Sequence, residues 1–397
     1  MRFGADRLAA DPRLLAEALG RAPARLGLLT NDAVRLARDP EERTRAALLE
    51  AGLPLVRLFS PEHGLGAAAP DGAAVADTAD PLTGLPVTSL YGEALRPPPE
   101  ALADIGAVLC DLPDIGARCY TYAWTLTHLI DACAAAGVPV VVLDRPNPLG
   151  GRIESAEGPM LEPAHESFLG RLPIPLRHAL TLGELALLWR RERRPAADVR
   201  VIRCSGWARH QLWPDTGLPF VPTSPAIRRF QAALLYPGTC LFEATNLSVG
   251  RGSALSFEAV GAPWLRATSL VDRLASRRLP GLALEPAHFT PTTGPWAGEE
   301  CEAVRLVVRE PRRVRPVAAG LALLAGVAAL HPGELAWARY PTAANPSGTG
   351  HLERLVGTAE VGAAIAAAPA DVDDDVVARW TDVAGWPPRW RAVAIYP

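Results

Sequence analysis

The sequence predicts an α/β protein: an open, mostly parallel sheet covered by helices, followed by a smaller α/β domain. Three observations carry this reading. Short apolar runs alternate with helical stretches over the first two hundred residues. The runs are apolar at successive positions, as strands covered on both faces require. The stretch from Ala107 to Leu143 has the length and pattern of a strand–helix–strand unit.

In order, Leu14 to Leu19 reads as a helix, Leu26 to Leu29 as a strand, Thr44 to Glu50 as a helix and Leu55 to Phe59 as a strand. Val87 to Leu90 and Ala107 to Cys110 are further strands. Trp124 to Ala136 is a helix, and Val138 to Leu143 is a β-branched and aliphatic run suited to a buried strand. Thr181 and Glu184 form a capping box that starts a helix ending near Arg194, and Val199 to Ile202 is the next strand. The segment Asn147 to Leu180, rich in proline and glycine, is too long for an ordinary connection, so it holds small elements or builds a site. Ser224 and Pro225 have cap and first-turn preferences, and predict a helix that stops before Pro237 and Gly238. The domain boundary is placed there: residues 1–238 form the sheet domain with most of the site, and residues 239–397 the smaller domain. In the latter, helices are expected near Ser269 to Arg277, over Val317 to Leu330 and His351 to Val356, and from Ala359, with a strand at Ala303 to Val308.

Composition excludes several classes. The chain has 397 residues, 43 acidic and 40 basic side chains and a formal charge of −3, so no extended basic field is present and nucleic acid is not an expected partner. Every cation is arginine, a bias best read as compositional. Cys110, Cys119, Cys133, Cys204, Cys240 and Cys301 are scattered without metal spacing and are expected as buried small hydrophobes. The N-terminal stretch has early acids and no apolar core, so no secretory signal is read there, and a cytoplasmic location without membrane contact is expected. The run Val317 to Leu330 is too short for a membrane span.

A polar segment follows each strand of the first domain. Phe59 leads into Ser60-Pro61-Glu62-His63-Gly64, Leu90 into Tyr91-Gly92-Glu93, Cys110 into Asp111 to Arg118, and Leu143 into Asp144-Arg145-Pro146-Asn147. In an open parallel sheet these segments share the carboxyl rim, where such sheets bind ligands. Each has a structural alternative: Glu62 and His63 as caps of the following turn, Asp111 and Asp114 as helix caps, Arg118 as a solvated cation, Asp144-Arg145 as a turn pair. No glycine-rich dinucleotide fingerprint, phosphate-binding loop or nucleophile elbow is present. No cofactor and no resident metal are expected, although a hydrated cation on carboxylates stays open. Carboxylate chemistry remains. Glu62, Asp114, Glu154, Glu157, Glu166 and Glu243 are the available acids, and a glycosidic bond needs a protonated acid and commonly a second carboxylate. Tyr91, Tyr120, Trp207 and Trp213 are candidates to stack on a sugar.

The same segments resemble the exo-β-N-acetylmuramidase family. The matching stretches are FSPEHG at Phe59 to Gly64, TGLPVTSLYG at Thr83 to Gly92, DLPDIGARCYTY at Asp111 to Tyr122 and VVLDRPNPLGG at Val141 to Gly151. EGPMLEP at Glu157 to Pro163, SFLGRLPIPLRHALTLGELA at Ser167 to Ala186, TGLPFVPTSP at Thr216 to Pro225 and YPGTCLFEATNLSVGRGS at Tyr236 to Ser253 continue the match. The last 130 or so residues resemble the family mainly in layout. Departures are the spacer Arg152 to Ala156 and the first loop, Thr30 to Val34, which lacks the family's usual threonine and glycine.

The resemblance implies a Rossmann-like domain and a smaller domain that closes the cleft between them. It implies release of N-acetylmuramic acid from the non-reducing ends of peptidoglycan fragments, with muramyl glycosides or muropeptides as partners and a monomer or dimer as the working unit. It puts the general acid on Glu62 and a tuning or binding role on His63. Asp114, Glu157 and Glu243 compete for the second catalytic role. Arg118, Arg145 and Arg251 become partners for the sugar's lactyl carboxylate. Asn31, Tyr120, Asp144, Asn147 and Asn246 complete the expected substrate-binding set. Two alternatives stay open: a non-catalytic muramyl-binding module, and a hydrolase or lyase of the lactyl ether.

Overall fold

The computed structural model describes residues 1–397. Its main sheet has seven strands: β1 (Leu26–Leu29), β2 (Leu55–Ser60), β3 (Thr78–Ala79), β4 (Pro86–Ser89), β5 (Ala107–Cys110), β6 (Val140–Leu143) and, after an excursion, β9 (Val199–Ile202). They lie in the order β3-β4-β2-β1-β5-β6-β9, and all neighbours are parallel except β3 with β4. The reason is the double-sided apolar pattern. Leu26, Leu28, Leu58, Leu109 and Val141 pack on one face against Leu8, Leu15, Ala47 and Leu48. Leu29, Phe59, Val108, Cys110 and Val142 pack on the other, with Trp124, Leu129 and Leu185 in the same core.

The long segment after β6 folds into β7 (Glu157–Met160) and β8 (Pro175–Arg177), an antiparallel pair. It therefore holds small elements and also supplies a wall of the site, described below. The smaller domain has an antiparallel sheet of β10 (Ala259–Ala262), β11 (Leu282–Phe289) and β12 (Cys301–Val308), with β12 in the middle. No helix is long and apolar enough to cross a membrane. All six cysteines are buried and unbridged.

Two local expectations are corrected. Ser224 does not start a helix; its Oγ accepts from the Ile227 amide at 3.3 Å and closes a turn, and the helix begins at Phe230. That helix does not stop before Pro237 but continues to Thr239. Proline removes one amide from the ladder, and the Thr239 hydroxyl donates to the Leu235 carbonyl at 3.1 Å in the same turn. The helix Gly4–Ala10 was not anticipated at all.

The Phe230–Thr239 helix joins the two sheets by crossing the buried helix Pro316–Leu330 at very short range. A Cβ on Gly238 would sit 1.8 Å from the Pro316 carbonyl oxygen, and one on Gly320 would sit 2.3 Å from that of Gly238. Both obstacles are backbone. Gly238→Ala must push the helices apart and is expected to destabilise the fold by about 1–3 kcal/mol. Urea unfolding measures this, and an unchanged midpoint would contradict the close crossing.

Candidate active site

A cavity of about 340 Å³ lies over the carboxyl ends of β2, β4 and β5 and is closed by the smaller domain. The loop after β2 supplies Glu62 and His63, the residue after Leu90 is Tyr91, and the loop after β5 supplies Tyr120 and Thr121. Opposite stand Glu243 and Arg251, and the segment from Tyr340 to His351 forms the remaining wall.

Glu62 is buried yet held on both oxygens. Oε1 accepts from the Gly72 amide at 3.0 Å, and Oε2 from the Thr121 hydroxyl at 2.6 Å. Burial and the nearby Asp71 charge raise its pKa above the usual carboxylate range, against the opposing effects of His63, Thr121 and Gly72. His63 adopts a left-handed backbone, φ 65°, uncommon for a residue with a Cβ. Its Nδ1 lies 2.8 Å from the Ala69 carbonyl oxygen. A carbonyl only accepts, so Nδ1 carries the proton and, in the neutral ring, Nε2 keeps its lone pair.

Asp71 is the partner that sequence reasoning missed. Its carboxylate and those of Glu62 and the His63 ring each place a polar atom within 4.8 Å of the others. Arg251 lies 3.3 Å from Asp71, and the Tyr340 hydroxyl donates to it. Partial burial works against its ionisation, but Arg251 and Tyr340 outweigh that and hold its pKa below the usual value. The two neighbouring acids are thus pushed in opposite directions, one towards the protonated and one towards the ionised form. Glu62, His63 and Asp71 are also the residues a cation could share, although Thr121, Gly72, Arg251 and Tyr340 already occupy part of the oxygens' bonding capacity.

Glu243 lies behind this pair. Burial raises its pKa to about 7 despite its ion pair with Arg251. Tyr340 also reaches it, at 3.3 Å.

The other expected site residues divide sharply. Tyr120 and Tyr91 line the cavity, the first bonded to the Thr223 carbonyl at 3.0 Å. Asp114 does not; it accepts from the Gly116 amide at 2.8 Å and faces His178 at 3.5 Å. Glu157 is fully buried elsewhere, accepting from the Ala318 amide at 3.2 Å, where the positive end of the Pro316–Leu330 helix favours an anion. Arg118 is buried against four carbonyl oxygens and does not reach the cavity. Arg145 forms a two-pronged pair with Asp111, at 2.5 and 2.8 Å, and lies over the Phe3 ring.

Asp144 accepts from Thr181, Gly183 and Tyr396. Asn31 bonds Tyr122 and the Ala33 amide, Asn147 the Leu180 carbonyl and the Leu149 amide, and Asn246 the backbone at Glu334 and Ala336. Trp207 packs on Tyr396, and Trp213 lies between Phe3 and Phe220; neither lines the cavity. For Asp144 and Arg145 the reason is that the rim is split. Its β1 and β6 side is covered by the N-terminal segment, whose Gly4 amide donates to the Asp144 carbonyl at 2.9 Å.

A doubly wound α/β domain with two neighbouring acids whose pKa values are pushed apart, in a cleft closed by a second domain, has the make-up of an acid–base hydrolase. Comparison with known proteins narrows the class. Residues 26–231 match the model of the N-terminal part of the exo-beta-N-acetylmuramidase NamZ, and residues 234–396 that of its C-terminal part. The chain belongs to this family. It is 39% identical over 310 residues to the peptidoglycan beta-N-acetylmuramidase NamZ of Bacillus subtilis (strain 168), covering 78% of this chain and 74% of that one. Two crystal structures of DUF1343 family proteins from Bacteroides fragilis NCTC 9343 are similar throughout. One has a TM-score of 0.85 at 28% identity, covering 100% of this chain and 99% of its own. The other has a TM-score of 0.73 at 26% identity, covering 100% and 98%.

Proposed function

We propose that this protein is an exo-acting β-N-acetylmuramidase that releases N-acetylmuramic acid from the non-reducing ends of peptidoglycan fragments. The observation that carries the mechanism is the oppositely poised pair Glu62 and Asp71 in one cleft. Glu62 protonates the leaving glycosidic oxygen. Asp71, ionised, faces the positive charge that develops at the anomeric carbon. Arg251 and Tyr340 hold Asp71 in place, and Glu243 in turn holds Arg251. His63, held through Nδ1 by the Ala69 carbonyl, offers Nε2 to substrate. Residues 1–238 carry the acid and residues 239–397 close the cleft, with small muramyl glycosides or muropeptides entering from a cytoplasmic pool. The printed activity of the Bacillus subtilis relative supports the substrate class.

The test is product analysis on a synthetic muramyl β-glycoside. Free N-acetylmuramic acid is expected, and its first-formed anomer is expected to be β. One oxygen of each carboxylate lies within 4.8 Å of the other, and a close pair favours the retaining route over the inverting one, which needs room for a water between its carboxyl groups. Binding without turnover would replace the enzyme reading by a binding module, and loss of the lactyl group by an ether-cleaving one.

Asp71→Asn tests the pair itself. The Asp71 charge helps raise the Glu62 pKa, so removing it lowers that pKa. Activity that needs protonated Glu62 is lost as pH rises through the Glu62 pKa, so the basic limb of the kcat/KM profile should move to lower pH. An unmoved basic limb would separate Asp71 from Glu62.

A further inference from the structure

We propose that Arg354 is the specificity-determining residue of the cleft, its guanidinium seating the carboxylate of the lactyl ether that distinguishes muramyl from glucosaminyl sugars. This rests on the glycosidase reading and adds to it the group by which the sugar is chosen.

Two arginines line the cavity, Arg251 and Arg354. Arg251 is already neutralised, paired with Glu243 and with Asp71. The wall also carries Glu166, which is paired with Arg193 outside. Arg354 is half-buried and lies on the cavity wall with no carboxylate at ion-pair distance and no hydrogen bond from its guanidinium to the protein. A partly desolvated cation without a partner is costly, and an anionic ligand removes that cost.

The placement suits the C3 arm of the sugar. Arg354 lies on the short helix His351–Val356. The His351 ring stacks on Tyr340 with centroids 4.5 Å apart, and Tyr340 donates to Asp71. Arg354 therefore lines the same cavity as the reacting pair and lies three residues along its helix from His351. The lactyl ether is on C3, two ring carbons from the bond that breaks, so its acid needs a cation in the same cavity that is not bound to the reacting carboxylates. Arg354 meets both conditions and Arg251 fails the second. The helix that carries Arg354 is fixed at its far end by Arg118, which holds the Leu355 and Val356 carbonyls at 2.7 and 2.8 Å.

The experiment compares three aryl β-glycosides, of N-acetylmuramic acid, of its lactyl amide and of N-acetylglucosamine, with wild type, Arg354→Ala and Arg354→Lys. Calorimetric binding of free N-acetylmuramic acid and N-acetylglucosamine is run alongside. Arg354→Ala should lower kcat/KM on the muramyl acid by roughly 10- to 100-fold and leave the amide and glucosaminyl substrates near wild type. Arg354→Lys should recover part of the loss, because it restores charge without the fork. Equal losses on all three substrates, or unchanged muramyl selectivity, would overturn the proposal. If wild type turns over none of them, the glycosidase reading fails instead. Calorimetry then decides the seat, since Arg354→Ala must still weaken the muramyl acid selectively.

Discussion

Replacing Glu62 by glutamine is expected to slow hydrolysis of an unactivated muramyl glycoside by roughly 10²- to 10⁴-fold, the usual contribution of a positioned acid. The amide keeps the size of the carboxyl group but has no proton to give. One side-chain oxygen remains to accept from Thr121 or the Gly72 amide, so the loop should stay in place. Binding should change little. An aryl glycoside with a good leaving group needs less protonation, so its rate should fall much less. That contrast matters, because a folding defect or lost binding would depress both substrates together. The raised Glu62 pKa also predicts that wild-type activity on the unactivated substrate declines as pH rises through that value. Near-wild-type kcat on the unactivated substrate would remove Glu62 from the acid role and pass it to Glu243, whose pKa is raised to about 7. Glu243 is the second choice because Arg251 and Tyr340 already bind it.

The place of Glu62 at the cleft was legible in the sequence because the strand Leu55–Phe59, apolar but for Arg57, ends shortly before it, and strand ends point at the rim. The same logic failed for Asp144, Arg145 and Asn147. Nothing in the residues after β6 says that Phe3 and Gly4 will lie over them. Whether a strand end is open or covered is a tertiary fact, fixed by which distant segment docks there. Asp71 was passed over for another reason. It sits in Pro70-Asp71-Gly72, which reads as a turn, and Gly72 does adopt the left-handed φ of 67° that such a turn uses. The available signal was the long loop between β2 and β4, too irregular to be only a connection. Tyr340, His351 and Arg354 lie in the part of the chain that resembles the family only in layout. They reach the cleft because the smaller domain folds back over the first, through the Gly238–Gly320 crossing. The strands themselves were the easy part, since β1 and β5 carry apolar residues at every position but Gly27 and are buried throughout.

Arg118→Ala is expected to cost about 3–5 kcal/mol of stability. The arginine is 1% exposed and has no carboxylate partner. Burial lowers its pKa to about 10, which still leaves it a cation at neutral pH. Its Nη1 donates to the Pro159 and Ile174 carbonyls, both at 2.9 Å, and Nη2 to Leu355 and Val356. The last two carbonyls end the His351–Val356 helix, where aligned peptide dipoles favour a positive charge. One side chain therefore ties the loop after β5 to both strands of the small hairpin and to a helix of the smaller domain. Removing it takes a donor from four carbonyls in a tight space, of which Ile174 keeps the Leu161 amide at 3.2 Å, and each buried acceptor left without a partner costs about 1–3 kcal/mol unless water reaches it. A Cβ on Gly357 would already meet Nη2 at 2.7 Å, so the surroundings are moulded to the guanidinium. Lysine cannot copy the fork, so Arg118→Lys should recover only part of the stability. Urea unfolding of both variants measures this. Because residue 118 does not reach the cavity but anchors the helix that carries Arg354, any muramyl-selective loss in the folded fraction of Arg118→Lys should be no larger than that of Arg354→Ala. A stable Arg118→Ala with a muramyl-selective loss larger than that of Arg354→Ala would return this arginine to the substrate-binding set.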